Sequence, residues 1–389
     1  MKKTMLAAAV AVLWMGTVAG QSGMERVTYR GHLFVETQVN GKKARLAFDT
    51  GAPYSCIDST FLADSKLRYK NMGHAQMGGT GKKKEIVPII LNELTYTVAG
   101  KEYTSEVTPV IQLKPILGDH ADGILGIDRL GDKVIAIDYV GGRMGFLDRA
   151  VDTAGYTAIA IRHENRRIYV PLTVEVRDGK SIAGEALIDL GSGGTVTLTH
   201  AVAKRLGLGS VTPKLRNTTL NGGIGGSVTA YDLRAKGVTL GAFTLNDITI
   251  DYSTETSGAL SDKEYIAIVG NDFWERFDMI IDLPRQRLYL RRNKDFALPF
   301  ESPTKGFGYV DRSRTLGCWV VNNLYDGSHA AQAGLRNGDR ITAVDGRSVL
   351  DIGFEEQRNL FEGHTGVRLT VQRGDSVKEV AFDFDEPGI

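Results

Sequence analysis

Two short segments place a carboxylate where it could do acid–base chemistry: Asp49-Thr50-Gly51-Ala52 and Asp189-Leu190-Gly191-Ser192. Each follows an apolar run, Ala44-Arg45-Leu46-Ala47-Phe48 in the first case and Glu185-Ala186-Leu187-Ile188 in the second. A glycine two residues after the acid permits a sharp turn, having no Cβ to clash. Backbone N–H groups in such a turn can bond the carboxylate and fix its direction. A single Asp-x-Gly reads as an aspartate capping its own loop. Two at equivalent places in related halves can face each other across an approximate twofold axis. Carboxylates ~3 Å apart share a proton and titrate as a pair. One then acts as base and the other as acid, which suffices to activate a water and protonate a leaving nitrogen without a metal or cofactor.

The halves are visible as an internal repeat. Ile124-Leu125-Gly126-Ile127-Asp128 answers to Ile268-Val269-Gly270-Asn271-Asp272 at an offset of 144. The same offset relates Val134–Asp138 to Asp278–Asp282, Arg143 to Arg287, and Gly78, Gly79 and Gly81 to Gly222, Gly223 and Gly225. The aspartates stand 140 apart, so a four-residue indel separates the blocks, as a surface loop tolerates. Both halves read as β. Leu33–Val39 ends in Asn40-Gly41 and Tyr169–Val176 in Asp178-Gly179, alternation closed by hairpin signals. Helices are few and short, such as Ala201–Leu206 before Gly207. Asp138 and Asp282 are expected to be structural, partnered by Arg143 and Arg287.

These residues resemble the aspartic proteases of the pepsin and retropepsin type, single-chain and two-lobed, over about residues 30–292. Asp49-Thr50-Gly51-Ala52 is the retropepsin form of the signature, and Asp189-Leu190-Gly191-Ser192 is close to it. Ile124-Leu125-Gly126 and Ile268-Val269-Gly270 match the element that passes beneath each aspartate turn in that family. Gly222-Gly223-Ile224-Gly225-Gly226 is similar to a flap tip, and Gly78-Gly79-Thr80-Gly81 to a second, degenerate one. The resemblance implies an Asp49–Asp189 dyad and an extended polypeptide substrate gripped under flaps. One departure stands out: the family carries Thr or Ser after each catalytic Asp, and its hydroxyl reaches the opposite turn. Leu190 has none, so an asymmetric dyad is expected. Ser192 against Ala52 suggests a hydroxyl donor favouring ionised Asp189, which makes Asp49 the expected protonated partner.

The last ninety residues differ. Two prolines, Pro299 and Pro303, mark a linker. Gly306-Phe307-Gly308-Tyr309, then Ala333-Gly334-Leu335 and Gly338-Asp339, resemble a PDZ domain, the first matching its carboxylate-binding loop. Such a loop and the strand after it would bind a C-terminal peptide by β-addition. Leu350–Phe361 is the expected groove-side helix.

At the other end, Lys2 and Lys3, a short apolar run Met5–Met15, and small residues to Gly20 read as a signal peptide, too short to span a bilayer. An exported bacterial protein, periplasmic or secreted, is expected, with no membrane span once the leader is removed. Lys+Arg 47 against Asp+Glu 46 gives no electrostatic case for nucleic acid. Two cysteines, Cys56 and Cys318, are too few for a disulfide scaffold or a four-cysteine zinc site, and two buried thiols are expected. Histidines lack zinc-helix spacing, and Gly179-Lys180-Ser181 lacks the first glycine of a P-loop.

The expected architecture is mainly β: a leader 1–20, lobes 21–152 and 153–294, a linker 295–304, and a small α+β PDZ-like domain 305–389. The expected function is that of a monomeric aspartic endopeptidase. Its rival is a peptide-binding scaffold retaining the fold without turnover, supported by Leu190. In a third possibility the PDZ-like domain blocks the cleft, and removing residues after Lys294 activates the enzyme.

Overall fold

The computed structural model describes residues 23–389 except 82, 99, 129, 149, 150, 262 and 301, so the expected leader lies outside the described residues. Strands dominate, arranged in three sheets. In the first lobe Leu33–Val39 and Lys42–Phe48 form a hairpin around Asn40-Gly41, both at positive φ. Lys42–Phe48 delivers Asp49 at its end, and Gly123–Leu125 runs parallel beside it, Leu125 level with Phe48. The second lobe repeats the device: Ser181–Ile188 ends at Asp189, and Ala267–Val269 runs parallel to it, Val269 level with Ile188.

A six-stranded sheet joins the lobes. Val134–Asp138 pairs antiparallel with Phe277–Asp282, from Val134 opposite Asp282 to Asp138 opposite Asp278. Ala136 faces Ile280, its own repeat partner, so the pseudo-twofold axis passes through this pair. One apolar core runs through both lobes and includes Leu33, Phe48, Ile135, Ile188, Leu190, Trp274 and Met279. Asp138 stands opposite Arg143 and Asp282 opposite Arg287 in the strand ladders, as expected, but neither carboxylate forms an ion pair with that arginine. Asp282 takes the backbone N–H and guanidinium of Arg285, and Asp138 takes Gly141 N–H, because turn donors three residues away reach them first.

The last domain has its own core, Phe307, Trp319, Val321, Leu335, Ile341, Leu369 and Val371 among others. Segment 350–361 does not form the expected helix; it makes two 3-10 turns, Val349–Asp351 and Glu356–Arg358. Gly353 weakens a helix there, and tertiary contacts pull the segment apart. Phe354 stacks on His120 (4.0 Å) and meets Phe34 edge-on (5.4 Å) in the first lobe, while Gln357 donates to Asp311.

This domain is stitched to both lobes. Cys318–Tyr325 adds to Leu215–Thr219 of the second lobe, with Asn217 opposite Tyr325 and Thr219 opposite Asn323, and this makes one continuous sheet. On the other side the buried Asp119 carboxylate of the first lobe accepts from Arg312 Nε (2.9 Å), Thr315 N–H (2.7 Å) and Thr315 Oγ1 (2.8 Å). The segment expected to be a linker lies on the second lobe, where Arg276 donates to the carbonyls of Asp295, Leu298 and Pro299. Cys56 and Cys318 are both buried free thiols.

Candidate active site

The floor of the site is the pair of aspartate turns. Gly51 N–H (2.8 Å) and Ala52 N–H (3.0 Å) donate to Asp49 Oδ1, and Gly191 N–H donates to Asp189 Oδ1 (2.9 Å). The carboxyls hydrogen-bond to each other across the axis. Each also lies against the opposite turn. A Cβ on Gly191 would sit 2.2 Å from the Asp49 carboxyl carbon, and one on Gly51 would sit 2.7 Å from that of Asp189. Only glycine permits this approach. Gly126 and Gly270 pass beneath as expected, with Asp49 N–H on Leu125 O and Asp189 N–H on Val269 O, both 3.0 Å.

Burial pushes both carboxyls above the usual carboxylate range, Asp189 well above it because the Asp49 charge faces it. Asp49 is held lower by the bond from Asp189 and by N–H groups of Gly51, Ala52 and Gly191. The surroundings thus favour the ionised form at Asp49 more than at Asp189, whereas the sequence points to a Ser192 hydroxyl favouring ionised Asp189. The reason is local: Ser192 Oγ does not reach Asp189 but accepts from Gly194 N–H at 3.4 Å and packs on Gly270.

The reciprocal clamp has one arm. Thr50 Oγ1, fully buried, donates to Ile188 O (2.7 Å) and accepts from Leu190 N–H (3.0 Å). Leu190 is buried in the core and offers no oxygen to Thr50 N–H.

Two hairpins roof the dyad: Met72–Met77 with Glu85–Leu91, and Leu215–Thr219 with Val228–Leu240. Their tips touch. Gly81 N–H donates to Ile224 O (3.1 Å), Thr80 Oγ1 donates to Gly222 O (2.6 Å), and a Cβ on Gly81 would strike the Gly225 carbonyl at 2.2 Å. Gly78, Gly79, Gly222 and Gly223 line the cleft, whereas Gly226 closes the second turn by accepting from Gly222 N–H. Ile224 packs on the first lobe's buried cluster of Cys56, Ile111 and Leu113. Beneath lies a cleft of about 1900 Å³ that reaches from the dyad to Tyr325 and Lys305 of the last domain.

Several cleft residues escape sequence reasoning. His32 Nε2 donates to Gly191 O at 3.0 Å, and burial lowers its pKa to about 4. Asp232 and Asp251 lie in the wall under the second flap. Asp232 accepts from Asn217 Nδ2 (2.8 Å) and Tyr325 OH (2.6 Å), and Asp251 accepts from Thr197 Oγ1 (2.9 Å). Burial raises them to about 6 and about 8, with repulsion from Asp232 adding to the latter. No sequence signal marks these contacts, which join distant segments.

The Gly306-Phe307-Gly308-Tyr309 loop lies outside the dyad. Gly306 has φ +74° and its carbonyl accepts Tyr325 N–H at 3.0 Å, Phe307 is buried, Gly308 faces Asn323 in the ladder, and Tyr309 stacks on Trp319 at 4.4 Å. The strand this loop begins, Phe307–Arg312, pairs with Cys318–Tyr325 on one side. On the other, Asp119 N–H of the first lobe donates to Asp311 O (2.8 Å), and Arg30 sits between the Tyr309 and Phe354 rings.

Residues 35–129 match the family model described as aspartyl protease, and residues 320–373 match the one described as PDZ domain. A search of curated proteins finds no match. The second lobe's kinship to the first rests on the repeat and on the matching aspartate turns. The chain therefore joins an aspartyl protease domain, matched in its first lobe, to a C-terminal PDZ domain.

Proposed function

We propose that the protein is an aspartic endopeptidase that hydrolyses polypeptides met after export, with Asp49 and Asp189 as catalytic residues. The observation that carries this reading is the pair of carboxyls, bonded to each other on the floor of a flap-covered cleft. Asp49, the more acidic partner, takes a proton from a water held between the acids. Asp189 gives its proton to the carbonyl oxygen of the scissile bond as the water oxygen attacks carbon. Collapse of the tetrahedral species expels the amine, which takes the proton gained by Asp49, while the hydroxyl proton returns to Asp189. Each acid thus ends as it began.

Side-chain preference follows from the cleft walls. Ala47 and Ile124 line one side and their repeat partners Leu187 and Ile268 the other, with Ile111, Leu113 and Leu260 further out. Apolar residues on both sides of the scissile bond are therefore favoured. Backbone N–H and C=O groups of the flap tips would grip the extended chain once the tips part. The PDZ domain serves here as a flap support, its Cys318–Tyr325 strand extending the second flap's sheet. Incubating the protein with a peptide library should yield internal cleavages between apolar residues. Asp49→Asn and Asp189→Asn should yield none; undiminished cleavage by either variant would reject the assignment.

A further inference from the structure

The Thr50 hydroxyl holds the second aspartate turn, and no hydroxyl returns from Leu190 to hold the first. Yet three consecutive carbonyls of the second turn each receive a side-chain donor. Asn271 Nδ2 donates to Leu190 O (2.7 Å) and to Ser192 O (3.0 Å), and His32 Nε2 donates to Gly191 O (3.0 Å). Asn271 is fully buried, and its Oδ1 is fixed by Tyr139 OH at 2.8 Å. A carbonyl only accepts, so His32 must carry its proton on Nε2.

His32 and Tyr139 belong to the first lobe, flanking Leu33–Val39 and Val134–Asp138, so both reach across the lobe interface in the same direction as Thr50. The first turn has no counterpart to the amide: the repeat partner of Asn271 is Ile127, which offers only its backbone N–H to Ala52 O at 3.3 Å. The extra side-chain donors therefore converge on the turn that carries leucine in place of a hydroxylated residue.

We propose that His32 and the Tyr139–Asn271 pair are positioning residues that hold the Asp189 turn against the Asp49 turn in place of the hydroxyl that Leu190 lacks. The proposal rests on the aspartic-peptidase reading. Two carboxyls that share a proton must stay within about 0.5 Å of their working separation, and ties from one side suffice if they fix several points of the moving turn.

The test is Tyr139→Phe, which removes one hydroxyl and keeps the ring that packs on Tyr29 at 5.1 Å. At a temperature well below unfolding, kcat on a cleaved peptide should fall about tenfold with KM little changed. Affinity for a statine-type transition-state mimic, measured by calorimetry, should fall by a similar factor. Adding Leu190→Thr to Tyr139→Phe should recover most of the loss, because it restores a tie between the same two turns. A lower melting temperature with unchanged kcat and unchanged mimic affinity would make Tyr139 merely structural and overturn the proposal. So would a loss that Leu190→Thr, in a folded double variant, leaves unrepaired. If the wild-type protein neither cleaves peptides nor binds the mimic, the peptidase reading falls and this proposal with it; if it does both and Tyr139→Phe matches it, only this proposal falls.

Discussion

Substituting Asn323 by leucine tests whether the PDZ domain holds the second flap. Asn323 lies opposite Thr219 in the ladder that joins Cys318–Tyr325 to the flap strand Leu215–Thr219. Its Nδ2 donates to Thr219 Oγ1 (2.7 Å) and to Asn217 Oδ1 (3.1 Å). Leucine keeps the volume and removes both bonds. At about 1 kcal/mol net for each bond the junction weakens by about 2 kcal/mol, or ~30-fold in its opening equilibrium. Neighbouring ties persist, including Asn337 Nδ2 to Thr218 O (2.9 Å) and Tyr325 OH to Asp232, so the domain stays docked most of the time. Hydrogen exchange followed by mass spectrometry should show the amides of Leu215–Thr219 exchanging ~30-fold faster. Those of Glu85–Leu91 in the first flap, which make no such junction, should be unchanged. Equal exchange in variant and wild type, or equal acceleration in both flaps, would refute the coupling.

Gly191→Ala forces a Cβ to within 2.2 Å of the Asp49 carboxyl, so cleavage should fall more than about 100-fold while far-UV circular dichroism stays the same; near-normal turnover would contradict the close-packed dyad. Removing residues 295–389 should lower the melting temperature and not raise activity, because it bares the Leu215–Thr219 edge and uncovers the Phe34, Ala47 and Ala121 cluster that Phe354 caps. Activation on truncation would restore the idea of a blocking domain. Asp251 carries a pKa raised by burial, then by Asp232, to about 8, so its ionised form is penalised in the folded state. The stability that goes with the protonated form is present below about pH 4, the unfolded value, and is lost as pH climbs through 8. Asp251→Asn should therefore melt with wild type near pH 4 and above it near pH 9; the opposite order would refute the burial argument.

Much of the site was legible because its signals are local and doubled. Asp-x-Gly after an apolar strand, the Gly126 and Gly270 elements and the flap glycines each occupy a few consecutive residues, and the repeat fixes which ones correspond. What the sequence hid are contacts between distant segments. His32 reaches Gly191 across 159 residues, and nothing near it in sequence marks a partner. Asn271 stands in a visible repeat block, opposite Ile127, and that difference was the one available hint. The PDZ-to-flap ladder uses Asn217, Thr218 and Thr219 against Asn323, Leu324 and Tyr325, which carry no hydrophobic alternation to betray a strand junction. The expected helix at 350–361 failed for a related reason. Phe354 and Gln357 serve different neighbours, and those tertiary contacts outweigh a weak local preference. Ser192 likewise shows that a hydroxyl beside an aspartate in sequence need not point at it.

The most direct measurement is cleavage of a defined peptide, with apolar residues around its centre, by wild type, Asp49→Asn and Asp189→Asn across pH 3 to 9. The account predicts a bell-shaped profile for wild type, since one acid must be ionised and its twin protonated, and no turnover by either variant at any pH. Full activity in either asparagine variant would contradict it, as would a wild-type rate that keeps rising through pH 9.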